Sequence, residues 1–250
     1  MGIFDFWKRD VLFWPGCYSL ATNKDVAKNY RRILRRLGIT TTAIDKISCC
    51  AGVLIDAGYD KESRKIARDN MEILRKRGIK RIITSCPLCC GVFSRNYKQM
   101  LPEWDIKINF ILSVILERLK ESPELIEKQV TTLKNKIVYK DSCSLGRGLH
   151  IYEEPREILK RLGYEIIELQ NNREDALCCG TCGNLKFTNK SLSNKICQEF
   201  IEKLKRTKIN RLVVADYFEY QHLKENLRDT GIEVVDFSEI LCDALGIWKL

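Results

Sequence analysis

Met71-Glu-Ile-Leu-Arg-Lys-Arg-Gly-Ile-Lys-Arg-Ile-Ile-Thr-Ser85 and Ile201-Glu-Lys-Leu-Lys-Arg-Thr-Lys-Ile-Asn-Arg-Leu-Val-Val-Ala215 are two versions of one stretch. Each starts with helical periodicity and ends in a short β-branched run, the pattern of a helix leading into an interior strand. The duplication spreads in both directions. Arg32-Ile-Leu-Arg-Arg-Leu-Gly38 matches Glu157-Ile-Leu-Lys-Arg-Leu-Gly163, and Ile106-Lys-Ile-Asn before Phe110 to Leu119 matches Ile232-Glu-Val-Val before Phe237 to Leu245. A repeat of about 125 residues is too long for a solenoid unit and predicts two similar lobes, residues 1–125 and 126–250, related by a pseudo-twofold axis. Within each lobe the order is strand, helix, strand, helix, strand, helix. Val11 to Trp14 and Lys136 to Tyr139 read as buried strands, and residues 25–37 and 155–162 as helices closed by Gly38 and Gly163. Alternation of this kind predicts an α/β fold, each lobe a small, mostly parallel sheet flanked by helices. The charged stretch Lys120 to Lys134, with Pro123, is the expected connection.

Cysteines repeat with the same period. The first lobe has Cys17, then 31 residues, Cys49-Cys50, then 35 residues, Cys86-Pro-Leu-Cys89; the second has Cys143, then 34 residues, Cys178-Cys179, then 36 residues beginning with Gly180 and leading to Asp216 and Glu219. In a parallel sheet ligands gather beyond the carboxyl ends of the strands, and Cys17, Cys86, Cys143 and Asp216 each follow a predicted strand directly. Five thiolates from three loops exceed the four that a structural zinc or a cubane iron–sulfur cluster requires. Adjacent cysteines are ill suited to one small ion, but they can bridge different metal atoms of a larger centre. In the second lobe carboxylates replace the last cysteine pair, and carboxylates serve poorly on a sulfide-rich cluster. Cys143, Cys178, Cys179 and the additional Cys182 leave three readings open: an altered metal site holding a smaller cluster or zinc, a lost site kept as scaffold, or a thiol redox centre.

Composition narrows the class. The chain has 250 residues, twelve cysteines and a formal net charge of +10. No run of 18 apolar residues suggests a membrane span, and Met1 to Trp14 lacks a secretory signal pattern, so a cytoplasmic setting is expected. There clustered thiols ligate metals or do redox chemistry more often than they form a disulfide framework. Lys and Arg alternate with acidic residues along helical stretches, without a basic stripe carrying aromatics, so a solvated surface is expected and nucleic-acid binding is not. No Walker loop, dinucleotide fingerprint or Ser-His-Asp order is present.

The motifs Phe13-Trp-Pro-Gly-Cys17, Ser85-Cys-Pro-Leu-Cys89, Asp141-Ser-Cys-Ser-Leu-Gly-Arg-Gly-Leu149, Glu154-Pro-Arg156 and Asn172-Arg-Glu-Asp-Ala-Leu-Cys-Cys-Gly180 resemble the CCG cysteine-rich module. That module occurs in the cysteine-rich subunit of heterodisulfide reductases and in iron–sulfur subunits of glycerol-3-phosphate, glycolate and lactate oxidoreductases. The resemblance covers essentially the whole chain. It implies a noncubane [4Fe-4S] cluster on Cys17, Cys49, Cys50, Cys86 and Cys89, the centre at which a disulfide substrate is reduced or a thiol oxidised. It also implies partner subunits: a ferredoxin-like iron–sulfur protein, since this chain lacks the C-x2-C-x2-C-x3-C-P pattern, and a flavoprotein. A membrane-associated complex would be reached only through such partners. Ala51 departs from the pattern, standing where the module has glycine directly after the cysteine pair.

Among the other candidates close to Cys143, Arg147 is expected to receive a substrate carboxylate or phosphonate, and His150 to touch a substrate or a cluster sulfide. Asp216, Glu219 and His222 fall at helical spacing, and an exposed face is expected for them. Cys90, Cys197 and Cys242 are expected as packed thiols. Phe4, Phe6, Trp7, Phe13 and Trp14 are read as core or docking residues, with core packing favoured for Phe13 and Trp14 beside Cys17. Two rival functions remain: an electron-transfer subunit of a flavin-dependent glycerol-3-phosphate, glycolate or lactate dehydrogenase, and a zinc-stabilised binding module with no redox role.

Overall fold

The computed structural model describes residues 10–42, 49–126 and 136–247; Phe4, Phe6, Trp7 and most of the expected connection lie outside them. The chain forms two compact units, dividing between Arg118 and Leu119. In the first unit three parallel strands, β1 (Val11–Trp14), β2 (Arg81–Thr84) and β3 (Lys107–Phe110), lie side by side in that order. In the second, β4 (Lys136–Lys140), β5 (Glu165–Ile166), β6 (Arg211–Val214) and β7 (Glu233–Asp236) form a parallel sheet in the order β5-β4-β6-β7. Both sheets carry helices, as the α/β reading expects. The second sheet has one more strand than the sequence pattern predicts. The two-residue β5 is matched in the first unit by a single parallel bridge, Leu12 to Thr42, too short to leave a hydropathy pattern.

Local chemistry explains the elements. The helix Lys24–Arg36 opens at Asn23, whose side chain accepts from the Asp25 N–H at 2.9 Å. Its buried face is Val26, Ala27, Tyr30, Ile33 and Leu34. It closes where Gly38 turns left-handed (φ 75°) and Ile39 N–H reaches back to the Leu34 carbonyl at 2.8 Å. The helix Glu153–Arg161 repeats the design, with Pro155 in its first turn and Gly163 (φ 89°) after its end. Strands β2 and β6 are buried along three of their four residues, as expected for strands covered on both faces. Phe13 and Trp14 are core residues, 1 % and 2 % exposed. Around them Phe93 meets Trp14 and Tyr97 edge-on, both at 4.9 Å, and stacks on Trp104 at 5.9 Å. Phe93 lies in a π-helical turn, Val92–Asn96, that no sequence period announced.

The loops that present the cysteine pairs share one backbone device. Ala51 N–H donates to Cys49 Sγ at 3.3 Å, and Gly180 N–H donates to Cys178 Sγ at 3.2 Å. Both donors have positive φ, 67° for Ala51 and 93° for Gly180. Gly180 leaves no room for a side chain, since a Cβ there would meet the backbone of Ser193. Ala51 occupies a conformation that disfavours a Cβ by about 1–2 kcal/mol. Ala51→Gly should therefore stabilise the first unit by about 0.5–1 kcal/mol after the entropy of the added glycine is allowed for. Gly180→Ala should destabilise the second by about 2–3 kcal/mol. Urea denaturation midpoints check both, and a stabilised Gly180→Ala would refute the close approach.

The end of β7 carries a second device. Asp236 caps the helix Phe237–Ala244 by accepting from Ser238 N–H at 2.9 Å, and it is 1 % exposed. Burial pushes its carboxyl up to about 7, against the opposing hydrogen bonds from Ser238. A carboxyl raised in the folded state stabilises below its ordinary value of 3.8, and that stability is lost as pH climbs toward 7. Asp236→Asn keeps the capping oxygen and removes this titration. Relative to the variant, the wild type should lose on the order of 2 kcal/mol between pH 4 and pH 7.5, read from denaturation at both values. Parallel pH profiles would show that Asp236 does not titrate in this range.

Candidate functional site

In the first unit, three loops at the carboxyl ends of β1 and β2 bring five thiols together. Cys17 starts the helix Cys17–Thr22, three residues beyond β1. Cys49 and Cys50 precede the helix Gly52–Asp56. Cys86 caps the helix Pro87–Gly91, its Sγ accepting from Cys89 N–H at 3.5 Å, and Cys89 lies in that helix. Cys17 and Cys49 sulfurs stand 3.9 Å apart, and those of Cys89 and Cys50 3.2 Å apart. Gly16 (φ 89°) makes the gathering possible: a Cβ there would come within 2.9 Å of Cys86 Cβ. Asn70 donates to the Cys49 carbonyl at 2.9 Å and to Tyr97 Oη at 2.8 Å, tying the pair loop to the aromatic core.

Exposure runs in one direction across the group. Cys17 is exposed, Cys49 and Cys86 are half-buried, and Cys50 and Cys89 are buried. Protonation is shared unequally. Hydrogen bonds from Cys17, then Cys50, hold Cys49 far below an ordinary thiol. Cys17 is pushed up by its bond to Cys49, then by burial and the nearby sulfurs. Cys50 is raised first by Cys49 and then by its burial, and Cys89 by Cys50, Cys86 and its own burial. Five sulfurs so close cannot all become thiolates without a compensating positive core, so the donor set fits a polynuclear metal centre. The buried indole N–H of Trp14, without a partner among the described residues, suits the same purpose. Cys90, pushed up to about 12 mainly by burial, is a packed thiol, as are buried Cys197 and Cys242.

The second unit repeats the frame with different chemistry. Cys143, Cys178 and Cys182 place their sulfurs within 4.8 Å of one another. Cys143 and Cys182 sulfurs are in disulfide contact, although their Cα atoms are 7.7 Å apart, wider than the roughly 4.4–6.8 Å of most disulfides. Cys179 is withdrawn from this group, buried with its sulfur 3.7 Å from Thr181 Oγ1. Asp216 stands where the first unit has Cys86. It caps the helix Tyr217–Asn226 by accepting from Phe218 N–H at 3.0 Å and also accepts from Ser142 Oγ at 3.1 Å. Glu219 stands where the first unit has Cys89. Its Oε1 is 4.0 Å from Cys143 Sγ, and its Oε2 pairs with Lys140 Nζ at 3.2 Å, both side chains 2 % exposed or less. Oε2 forms an ion pair with Lys140 but lacks the alignment of a hydrogen bond. Burial pushes Glu219 up to about 7 against the attraction of Lys140. Lys140, lowered by burial but raised further by Glu219, stays charged.

The expected exposed face of Asp216, Glu219 and His222 is corrected here. They are 8 %, 1 % and 0 % exposed, because their helix fronts the site as Pro87–Gly91 does in the first unit. His222 Nε2 lies 3.3 Å from Ser193 Oγ, and burial lowers its pKa. Lys140 is the residue the sequence reading missed. It ends β4 where Trp14 ends β1, and the signal was a lysine closing the interior run Ile-Val-Tyr-Lys140.

Arg147 is exposed, and its guanidinium donates to the carbonyls of Glu174 and Ala176 at 2.8 and 2.9 Å, pinning the loop that leads to Cys178. His150 is exposed in a left-handed conformation that ends the helix Gly146–Leu149. Asp141, Arg156 and Asn172-Arg173, from three separate motifs, form one network. Buried Arg156 binds Asp141 through both terminal nitrogens at 2.7 and 2.6 Å and Glu168 through Nε at 2.7 Å, while Arg173 N–H donates to Asp141 at 2.9 Å. These bonds fix the loop carrying Cys143 against the one before Cys178.

Comparison with known proteins accords with this geometry. The dihydromethanophenazine:CoB–CoM heterodisulfide reductase of Methanosarcina barkeri contains one polypeptide that is 26 % identical over 96 % of this chain and 60 % of its own length. The CoM/CoB fumarate reductase of Methanothermobacter marburgensis contains another, 25 % identical over 92 % of this chain and 44 % of its own. The EtfAB:quinone oxidoreductase of Syntrophomonas wolfei is 28 % identical over 70 % of this chain and 24 % of its own. The chain thus spans 60 % or less of the length of these relatives. The family model for the CCG cysteine-rich domain matches twice, at residues 11–94 and 137–224, and the chain belongs to that family.

Proposed function

We propose that this chain is the iron–sulfur redox subunit of a heterodisulfide reductase-like complex, an oxidoreductase component active with partner subunits. The observation that carries this reading is the convergence of Cys17, Cys49, Cys50, Cys86 and Cys89 from three loops onto one rim of a parallel sheet. The names of the relatives, reductases and an oxidoreductase, support a redox role.

In this reading the five thiolates hold a noncubane [4Fe-4S] cluster. When bound, such a cluster accepts and donates electrons one at a time. The chain's own residues do the rest. Gly16 lets the Cys17 loop close over Cys86, and Ala51 N–H stabilises the Cys49 thiolate. The aromatic wall of Trp14, Phe93, Tyr97 and Trp104 excludes water behind Cys50 and Cys89. Exposed Cys17 marks the side from which a thiol/disulfide substrate approaches. Electrons pass to or from a ferredoxin-like iron–sulfur partner and a flavoprotein. No helix among the described residues is long and apolar enough to cross a membrane. In this reading the chain works in the cytoplasm and reaches any membrane through its partners.

The test is metal analysis with EPR after anaerobic purification. About four iron and four acid-labile sulfides per chain are expected. Cys50→Ser should lose nearly all of both, and unchanged iron in that variant would overturn the ligand assignment. Colourless protein containing zinc alone would replace the redox reading with a zinc-stabilised binding module. Copurification with a flavoprotein, without thiol release from a mixed disulfide, would move the chain to a flavin-dependent dehydrogenase.

A further inference from the structure

We propose that the second unit holds a single zinc ion rather than a cluster, bound by Cys143, Cys178, Cys182 and the Glu219 carboxylate. This deepens the reading of the second unit and does not depend on the first-unit cluster.

Three observations converge on a mononuclear site. The three sulfurs lie within 4.8 Å of one another. Ligands of a tetrahedral zinc with Zn–S of about 2.3 Å sit roughly 3.8 Å apart, so one ion can reach all three once Cys143 and Cys182, in contact across an unusually wide Cα spacing of 7.7 Å, stand apart as two reduced thiolates. Glu219 Oε1 lies 4.0 Å from Cys143 Sγ, outside the tight group of three sulfurs, and a side-chain shift toward them would bring it to the fourth position. Lys140 takes the other carboxylate oxygen, Oε2, at 3.2 Å. That fixes the carboxylate with one oxygen toward the thiols and supplies a counter-charge, the outer support that metal ligands usually have.

The same residues argue against a second cluster. In the first unit the inner edge of the site is Trp14, Cys50 and Cys89, an apolar wall with two thiols. In the second, that edge is the buried Lys140–Glu219 pair, with Lys140 Nζ 5.3 Å over the Phe200 ring and donating to the Asp141 carbonyl at 2.9 Å. Cys179, the counterpart of Cys50, is turned toward Thr181. Cys182 replaces the missing thiolate from a different place. It starts the 3-10 turn Cys182–Asn184, two residues after Gly180, and the following Gly183 (φ 61°) and Asn184 (φ 59°) are both left-handed. Three thiolates and one carboxylate suit zinc, a borderline ion that accepts both donor types.

Zinc, iron and acid-labile sulfide per chain, measured on the full chain after anaerobic purification and dialysis against a chelator, test the proposal. About one zinc per chain is expected in the wild type. Cys182→Ser should lose the zinc and keep its iron, while Cys50→Ser should lose the iron and keep its zinc. Glu219→Gln should retain zinc more weakly than the wild type. Exchange of zinc for Co²⁺ should give the visible bands of tetrahedral cobalt–thiolate in the wild type and not in Cys182→Ser. Far-UV circular dichroism establishes that Cys182→Ser, altered at an exposed turn, keeps the fold; if it does not, Glu219→Gln and the cobalt spectrum of the wild type decide. About eight iron per chain, zinc retained by Cys182→Ser, or a zinc-free protein with Cys143 and Cys182 recovered as a disulfide would each overturn the proposal. Loss of iron from the wild type with zinc retained would count against the first-unit cluster alone.

Discussion

Parallel strands impose one constraint on this protein: all their carboxyl ends open at the same edge of the sheet. Cys17 and Cys86 follow β1 and β2 by three and two residues, and Cys143 and Asp216 follow β4 and β6 by the same intervals. Each side chain is delivered by a strand whose position is set by main-chain hydrogen bonds and by burial on both faces. The cysteine-pair loop then completes the ring from the side, held by an N–H that points at its own sulfur. Crowding so many thiols together is electrostatically unfavourable, and the hydrophobic burial of the surrounding sheet and helices has to offset it.

The two units show how one frame tolerates two chemistries. Changing Cys89 to Glu219 and Trp14 to Lys140 puts opposite charges on the end of β4 and on the helix that follows its neighbour β6, where each alone would be a costly buried ion. Removing either partner would strand the other, so the pair is expected to persist or vanish together. The Asp141–Arg156–Glu168 network, starting at the residue after Lys140, anchors the same loop that carries Cys143.

Much of this was legible in the residues. Strand and helix positions, the glycine stops and the gathering of thiols at one rim follow from periodicity and repeat spacing, because a buried parallel strand and an amphipathic helix leave strong local patterns. The π-helical turn at Val92–Asn96 and the two-residue β5 left none. Glu219 and His222 carry chemistry that points to solvent, whereas the partners that let them be buried, Lys140 and Ser193, are 79 and 29 positions away in sequence. Pairing over such distances is a property of the fold and not of any window of sequence. The bonds from Arg147 to the Glu174 and Ala176 carbonyls, 27 and 29 positions away, are hidden from a sequence window for the same reason.

The aromatic wall has an optical consequence. Trp14 and Trp104 are two of the four tryptophans in the chain, and they share one packed core with Cys50 and Cys89. Indole emission overlaps the broad absorption of coloured metal centres, and energy transfer over such short distances is efficient. If the proposed centre sits on these sulfurs, the fluorescence of the two residues would report on its state. With the proposed centre bound, the packing that keeps water from the site would also make the core its own dosimeter, dim when the centre is assembled and bright when it is lost.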